Sequence, residues 1–212
     1  MALAKQYTET TQKARYSEAE YFEFERTSFG RWEYVNGEIR QMAGGKDDHN
    51  AIAMNVARAL GNVLAPKGCR VYGSDMKIHT GDGVNTFPDV AVVCGERQYY
   101  LGKEDVILNP LVIVEVLTPS TEGYDRGDKF AHYQSISSLR DYLLVETNQA
   151  RVRLYSRRSD YWEMREIVGG GQHGASLVGG GRPGLKRCLR AHRDRKKRVR
   201  CRAGRHTIKS RW

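Results

Sequence analysis

No apolar run in this 212-residue sequence approaches the roughly 18 to 20 residues that a helix needs to cross a bilayer, so a membrane-spanning helix is not expected. The segment Met1-Ala2-Leu3-Ala4-Lys5-Gln6-Tyr7 also lacks the apolar centre of a secretory signal, and the cytoplasm is the default compartment. Cysteine is scarce. Cys69, Cys94, Cys188 and Cys201 are too few and too scattered to read as a disulfide framework, which fits a reducing environment. A length of 212 residues suffices for one domain with a full hydrophobic core and leaves little room for a second large one.

Acid is almost missing from the C-terminal segment. Residues 168–212 hold 14 Lys/Arg against the single acid Asp194, a charge of +13, whereas the rest, with 21 basic and 24 acidic residues, carries −3. The net charge of +10 therefore belongs to the tail and not to the body. Gly169-Gly170-Gly171 and Gly179-Gly180-Gly181 open this segment, and no hydrophobic periodicity follows. Such a composition cannot bury enough apolar area to offset ordering entropy, so 168–212 reads as a disordered, Gly/Arg-rich basic tail. It is either a genuine basic arm or the product of a reading-frame change, and composition favours the frame change.

The body carries clearer signals. Ser17 to Phe24 is a short helix candidate with acids in its first turn. Asn36-Gly37 marks a two-residue hairpin that pairs Tyr34 with Ile39 and Glu33 with Arg40. Asp47 and Asp48 are positioned to cap a helix over about His49 to Ala65, with Ile52, Val56, Leu60, Val63 and Leu64 on one stripe, ended by Pro66 and Gly68. Strand candidates are Arg70 to Ile78, Phe87 to Cys94 and Leu111 to Leu117, with a turn at Gly81-Asp82-Gly83 between the first two. A helix over Tyr124 to Ile136 and strands Asp141 to Glu146, Val152 to Ser156 and Tyr161 to Ile167 complete it. The order predicts an α/β fold, a mixed β-sheet flanked by helices behind an N-terminal β-hairpin.

Two acids interrupt the apolar strands. Asp89 lies within Phe87-Pro88-Asp89-Val90-Ala91-Val92-Val93, and Glu115 within Leu111-Val112-Ile113-Val114-Glu115-Val116-Leu117. A buried, unpaired carboxylate costs several kcal/mol, so such groups are usually paired, hydrogen-bonded or bound to metal. Two readings stay open. Each acid faces solvent or pairs with an arginine, or the two form one oxygen-ligand site for Mg²⁺, which takes one or two carboxylates plus water and phosphate.

In chain order stand Tyr34-Val35-Asn36-Gly37-Glu38-Ile39, His49-Asn50 at a helix start, Gly73-Ser74-Asp75, Pro88-Asp89-Val90, Val114-Glu115-Val116-Leu117-Thr118-Pro119-Ser120-Thr121 and Asp125-Arg126-Gly127-Asp128-Lys129-Phe130. Over residues 16–167 this ordered set resembles the Uma-two family of restriction-endonuclease-like proteins, within the PD-(D/E)XK nuclease superfamily. The resemblance implies a metal-dependent DNA endonuclease of restriction-endonuclease-like fold, with Asp89 and Glu115 as ligands of Mg²⁺ or Mn²⁺ and DNA as partner. A homodimer is compatible with it. The superfamily's lysine should follow the second acid by two residues, where this chain has Leu117. The resemblance implies that Lys129, on the next helix, takes that role, so that Asp89, Glu115 and Lys129 form the catalytic set. The alternative for Lys129 is an i,i+4 ion pair with Asp125, worth only about 0.2–0.5 kcal/mol.

Other candidates rank lower. Glu33 reads as a cross-strand partner of Arg40, and Glu38 as a residue flanking the turn. His49 reads as solvent-facing or capping, with approach to the cleft as its alternative. Asp75 could join the cation site from a neighbouring strand, but its surroundings are more polar. Cys188, His192, Cys201 and His206 could ligate zinc, although their order does not match the usual finger spacing. Arg195-Lys196-Lys197-Arg198 could be a nucleic-acid patch. The competing function class is a noncatalytic nucleic-acid-binding or regulatory module on a degenerate nuclease fold; a third is an interaction protein that docks through its basic tail.

Overall fold

In a computed structural model of the protein, which describes residues 15–42 and 44–169, Ser17 and Glu20 start the first helix by reciprocal side-chain bonds to each other's backbone N–H groups. This capping box fixes the entry to α1 (Glu18–Thr27). Asn36 and Gly37 both take positive φ, 52° and 88°, as the tight turn between β1 (Trp32–Val35) and β2 (Glu38–Gln41) requires. The register pairs Tyr34 with Ile39 and Glu33 with Arg40, as the sequence predicts. In α2 (Asp47–Leu64), Asp47 and Asp48 occupy the first helical turn and do not cap it; Lys46 stands at the cap with no side-chain bond. Their charge still complements the helix N-terminus.

The strand expected over 70–78 is two strands in two sheets. β3 (Cys69–Tyr72) ends at Gly73, a turn follows in which Met76 N–H donates to the Gly73 carbonyl, and β4 (Lys77–His79) begins a different sheet. The turn at Gly81-Asp82-Gly83 accordingly joins β4 to β5 (Asn85–Thr86), not to β6 (Val90–Cys94). β7 (Tyr99–Tyr100) and β8 (Lys103–Ile107) escape a hydrophobic reading because β8 opens on the exposed charges Lys103, Glu104 and Asp105. Then come β9 (Val112–Leu117), α3 (Glu122–Arg126), α4 (Asp128–Gln134), β10 (Asp141–Glu146), β11 (Arg151–Arg157) and β12 (Trp162–Val168). The single helix expected over 124–136 is broken at Gly127, whose backbone (φ −110°, ψ −99°) lies outside the helical region.

The result is a mixed α/β architecture of two six-stranded sheets. The smaller runs β2-β1-β5-β4-β8-β7 and the main one β12-β11-β10-β9-β6-β3. In the main sheet β9 and β10 are parallel and the other pairs antiparallel. β9 is buried along its whole length and β6 over its first four residues, which is why both read as continuous apolar runs and not as alternating ones. One face, with Ile113, Leu117, Tyr142 and Leu144, packs against Phe130 and Tyr133 of α4. The other, with Val112, Val114, Val116 and Val92, packs under Ile52 of α2. Burying each such side chain contributes about 1.5–3 kcal/mol, so this two-sided packing holds the central pair of strands rigidly.

Cys69 and Cys94, register partners across β3 and β6, form a disulfide. This corrects the reading of scattered, unpaired cysteines: two of the four meet because a 25-residue separation folds into adjacent strands. No helix among the described residues is long and apolar enough to cross a membrane. The zinc-ligand candidates and the basic patch of the tail lie outside the described residues.

Candidate active site

The pairing of β6 with β9 sets Val90 opposite Val114, so one further residue along puts Asp89 beside Glu115. The two strands then bracket the acids with their own backbones. Val116 N–H donates to Asp89 Oδ2 at 2.7 Å, and Asp89 N–H donates to Glu115 Oε2 at 3.3 Å. Because side chains alternate along a strand, Glu115 shares the face of Ile113 and Leu117 and points toward α4. There Tyr133 Oη donates to Glu115 Oε1 at 2.9 Å, and Lys129 Nζ stands 3.0 Å from the same oxygen. The sequence-predicted trio of Asp89, Glu115 and Lys129 is therefore one cluster.

Lys129 does pair with Asp125 one turn earlier, but at 3.8 Å that contact is longer than the one to Glu115. The amine also donates to the Phe87 carbonyl at 3.3 Å and lies 3.6 Å from Glu33 Oε1. Leu117 is buried in the apolar cluster with Phe130.

Glu33 is the cross-strand register partner of Arg40, as the sequence predicts, but the two side chains do not pair. Glu33 is buried, accepts a bond from Thr86 Oγ1 and turns toward Lys129, while Arg40 pairs with Glu38 at 2.6 Å on the exposed side. The hairpin register was right, but it cannot tell which face of β1 is covered by a second sheet. His49 is also not solvent-facing: its Nε2 lies 3.1 Å from Asp89 Oδ2, and its Nδ1 is buried without a partner. Asp75 is excluded from the cluster, its side chain 96% exposed and 3.8 Å from Arg31. Tyr124, unnoticed in the sequence, has its ring 5.9 Å from the Lys129 amine and a buried hydroxyl with no partner.

Electrostatics follow from this crowding. Burial pushes Glu115 well above the usual carboxylate range; Lys129 opposes the shift, and Asp89 and Asp125 add to it. Burial likewise raises Asp125 against the pull of Lys129. Burial lowers Lys129, but Glu115, Glu33 and Asp125 outweigh it and raise the amine above its ordinary value. The bond to Asp89 raises His49 despite its burial. Burial carries the Tyr124 phenol up to about 12. Four acids, Glu33, Asp89, Glu115 and Asp125, thus face one lysine and one histidine.

Among the described residues no three His, Cys, Asp or Glu side chains stand at the spacing of a closed metal cage. The donor set is instead two adjacent carboxylates in a surplus of negative charge, which suits Mg²⁺ or Mn²⁺ that keep water and substrate oxygens in their remaining positions.

Known proteins match this chain along most of its length. It is 37% identical over 145 residues to the uncharacterized protein slr1290 of Synechocystis, spanning 68% of this chain and 75% of that one. It is 31% identical over 153 residues to the uncharacterized protein sll1609 of the same organism, 71% of this chain and 86% of that one. A crystal structure from Anabaena variabilis, described as "a putative nuclease belonging to DUF820", superposes with a TM-score of 0.58 at 18% identity over 77% of this chain and 92% of that one, a likeness of fold. The Uma2 model, described as "Putative restriction endonuclease", matches residues 18–179, and the chain belongs to that family.

Proposed function

We propose that this chain is a metal-dependent endonuclease hydrolysing phosphodiester bonds of DNA in the cytoplasm, with Asp89, Glu115 and Lys129 as catalytic residues and Asp89 and Glu115 holding Mg²⁺ or Mn²⁺. The observation that carries the reading is the convergence of the Glu115 carboxylate on buried β9, the half-buried Asp89 carboxylate just before β6, and the buried lysine of α4, 3.0 Å from Glu115. A structural ion pair would need one acid. This site gathers three, Glu33, Glu115 and Asp125, within ion-pairing distance of one amine and sets Asp89 beside Glu115, and a divalent cation would offset that surplus.

A bound divalent ion supplies positive charge for a phosphate oxygen and lowers the pKa of a water. The chain's own groups do the rest. Asp89 and Glu115 are fixed by backbone and side-chain donors before any ligand arrives, so little reorganisation is needed on binding. Lys129 keeps its proton throughout the neutral range and carries a fixed positive charge to where negative charge develops on phosphorus-bound oxygens. Glu33 and the Phe87 carbonyl aim the amine from the other side. The body, at −3, has little attraction for a polyanion, so the basic segment 168–212 supplies the nonspecific hold on DNA.

A cleavage assay on the full chain with Mg²⁺ or Mn²⁺ tests this. Strand scission that needs the ion and vanishes in Asp89→Asn and Glu115→Gln is expected. Wild-type protein that binds DNA but leaves it intact with either ion would make the chain a noncatalytic binding module.

A further inference from the structure

Resting on that reading, the bonds around the two carboxylates discriminate between their oxygens. Asp89 Oδ2 takes Val116 N–H at 2.7 Å and faces His49 Nε2 at 3.1 Å, while no donor among the described residues bonds Oδ1. Glu115 Oε1 takes Tyr133 Oη at 2.9 Å and lies 3.0 Å from Lys129, while Oε2 has only the long 3.3 Å bond from Asp89 N–H. Each acid thus spends one oxygen on the protein and keeps the other for a ligand.

We propose that His49 and Tyr133 are positioning residues that lock Asp89 and Glu115 so that Asp89 Oδ1 and Glu115 Oε2 are the cation-facing oxygens. Both are built for holding. His49 sits in the first turns of α2, with its ring against Gly45: a Cβ there would come within 2.4 Å of Nδ1, so the loop before the helix closes on the imidazole. Tyr133 is wholly buried between the sheet and α4, its ring against Tyr142, and its one polar atom is the donor to Glu115. Each arrives from a different helix on opposite faces of the main sheet, α2 for Asp89 and α4 for Glu115. A carboxylate that is free to rotate would offer either oxygen and hold a cation less well.

Calorimetric titration of the full chain with Mn²⁺, alongside metal-free melting curves, tests the assignment. His49→Leu and Tyr133→Phe are each expected to weaken Mn²⁺ about 10–100-fold, the scale for losing a partner that orients a ligand. His49→Gln, whose amide N–H can still reach Asp89, is expected to recover most of the affinity, which a purely packing role for the ring would not produce. If Tyr133→Phe fails to fold, the His49 pair decides alone. Affinities within twofold of wild type, or a His49→Gln protein as weak as His49→Leu, overturn the proposal. So does a nitrogen coupling in the spin-resonance spectrum of bound Mn²⁺ that disappears in His49→Leu, because His49 would then be a ligand itself. Wild-type protein that takes up no Mn²⁺ overturns this inference together with the metal-dependent reading, whereas Mn²⁺ uptake with unaltered variants overturns this inference alone.

Discussion

Replacing Lys129 by methionine removes the only cation among the described residues within ion-pairing distance of three buried acids, and the size of the effect can be worked out. The amine lies 3.0 Å from Glu115, 3.6 Å from Glu33 and 3.8 Å from Asp125, with its side chain 6% exposed. Deleting one partner of a buried pair costs about 3–5 kcal/mol because the other charge is left without compensation. At about 2–4 °C per kcal/mol for a chain of this size, metal-free Lys129→Met should melt on the order of 10 °C lower near pH 8. The loss should shrink on acidification. Burial raises Glu115 and Asp125 in the fold, so their contribution to stability is complete below the unfolded carboxylate pKa of about 4 and is lost as pH rises through the raised folded values. Lys129 holds those raised values down, so without it they climb further and the loss extends to higher pH. The lysine's own raised value places its titration above the whole range tested. Melting curves of both proteins at pH 5 and pH 8 read this directly, and any cleavage activity should fall about 10²-fold or more. A variant that melts within 2 °C of wild type at pH 8, or is more destabilised at pH 5 than at pH 8, refutes the reasoning.

Two further outcomes are expected. Metal-free Glu115→Gln should melt at or above the wild-type temperature, since it removes one of four mutually repelling acids; a fall of several degrees would show that the contact with Lys129 outweighs the repulsion. Deleting the basic tail should leave the melting temperature of the body unchanged but flatten the salt dependence of DNA binding. With six to ten basic groups on phosphates, wild-type affinity falls about 10³–10⁵-fold between 50 and 200 mM salt, so an equal slope in the truncated protein would show that the body carries the contacts. The Uma2 match runs to residue 179, past the compositional break at Val168, so translating the neighbouring frames beyond that point tests the frame-change reading of the tail. The absence of any family-like continuation there counts against it.

Legibility in the sequence tracked locality. The Asn36-Gly37 turn with its register, the α2 stripe and the apolar runs of β6 and β9 are set by residues that are neighbours in the chain, and they are readable from the sequence. The division into two sheets was not, because Gly73-Ser74-Asp75 is a three-residue turn inside a run of strand-forming residues, and only the tertiary fold shows that β3 and β4 diverge. Asp89 and Glu115 stood out because charge in an apolar run is costly. Glu33 and His49 did not, because a polar residue on a half-exposed strand or at a helix start is ordinary until something packs over it. The Cys69–Cys94 pair was hidden for the same reason: adjacency across β3 and β6 depends on which strands are neighbours.

The position of the lysine follows from the packing of β9. Residues 113, 115 and 117 share one face of that strand, and α4 covers it with Phe130 and Tyr133. A charged group at 117 would have to thread between Phe130 and the sheet, whereas Glu115 is satisfied there because Tyr133 and Lys129 come down from the helix to meet it. With 129 and 133 one turn apart, the helix presents an amine and a hydroxyl side by side to the same carboxylate oxygen. The break at Gly127 starts α4 afresh just before Lys129, so this short helix need not continue the direction of α3, which carries Asp125 and Tyr124. The strand keeps its apolar seal, the helix brings the charge, and the cost of burying that charge is met by the acids already gathered there.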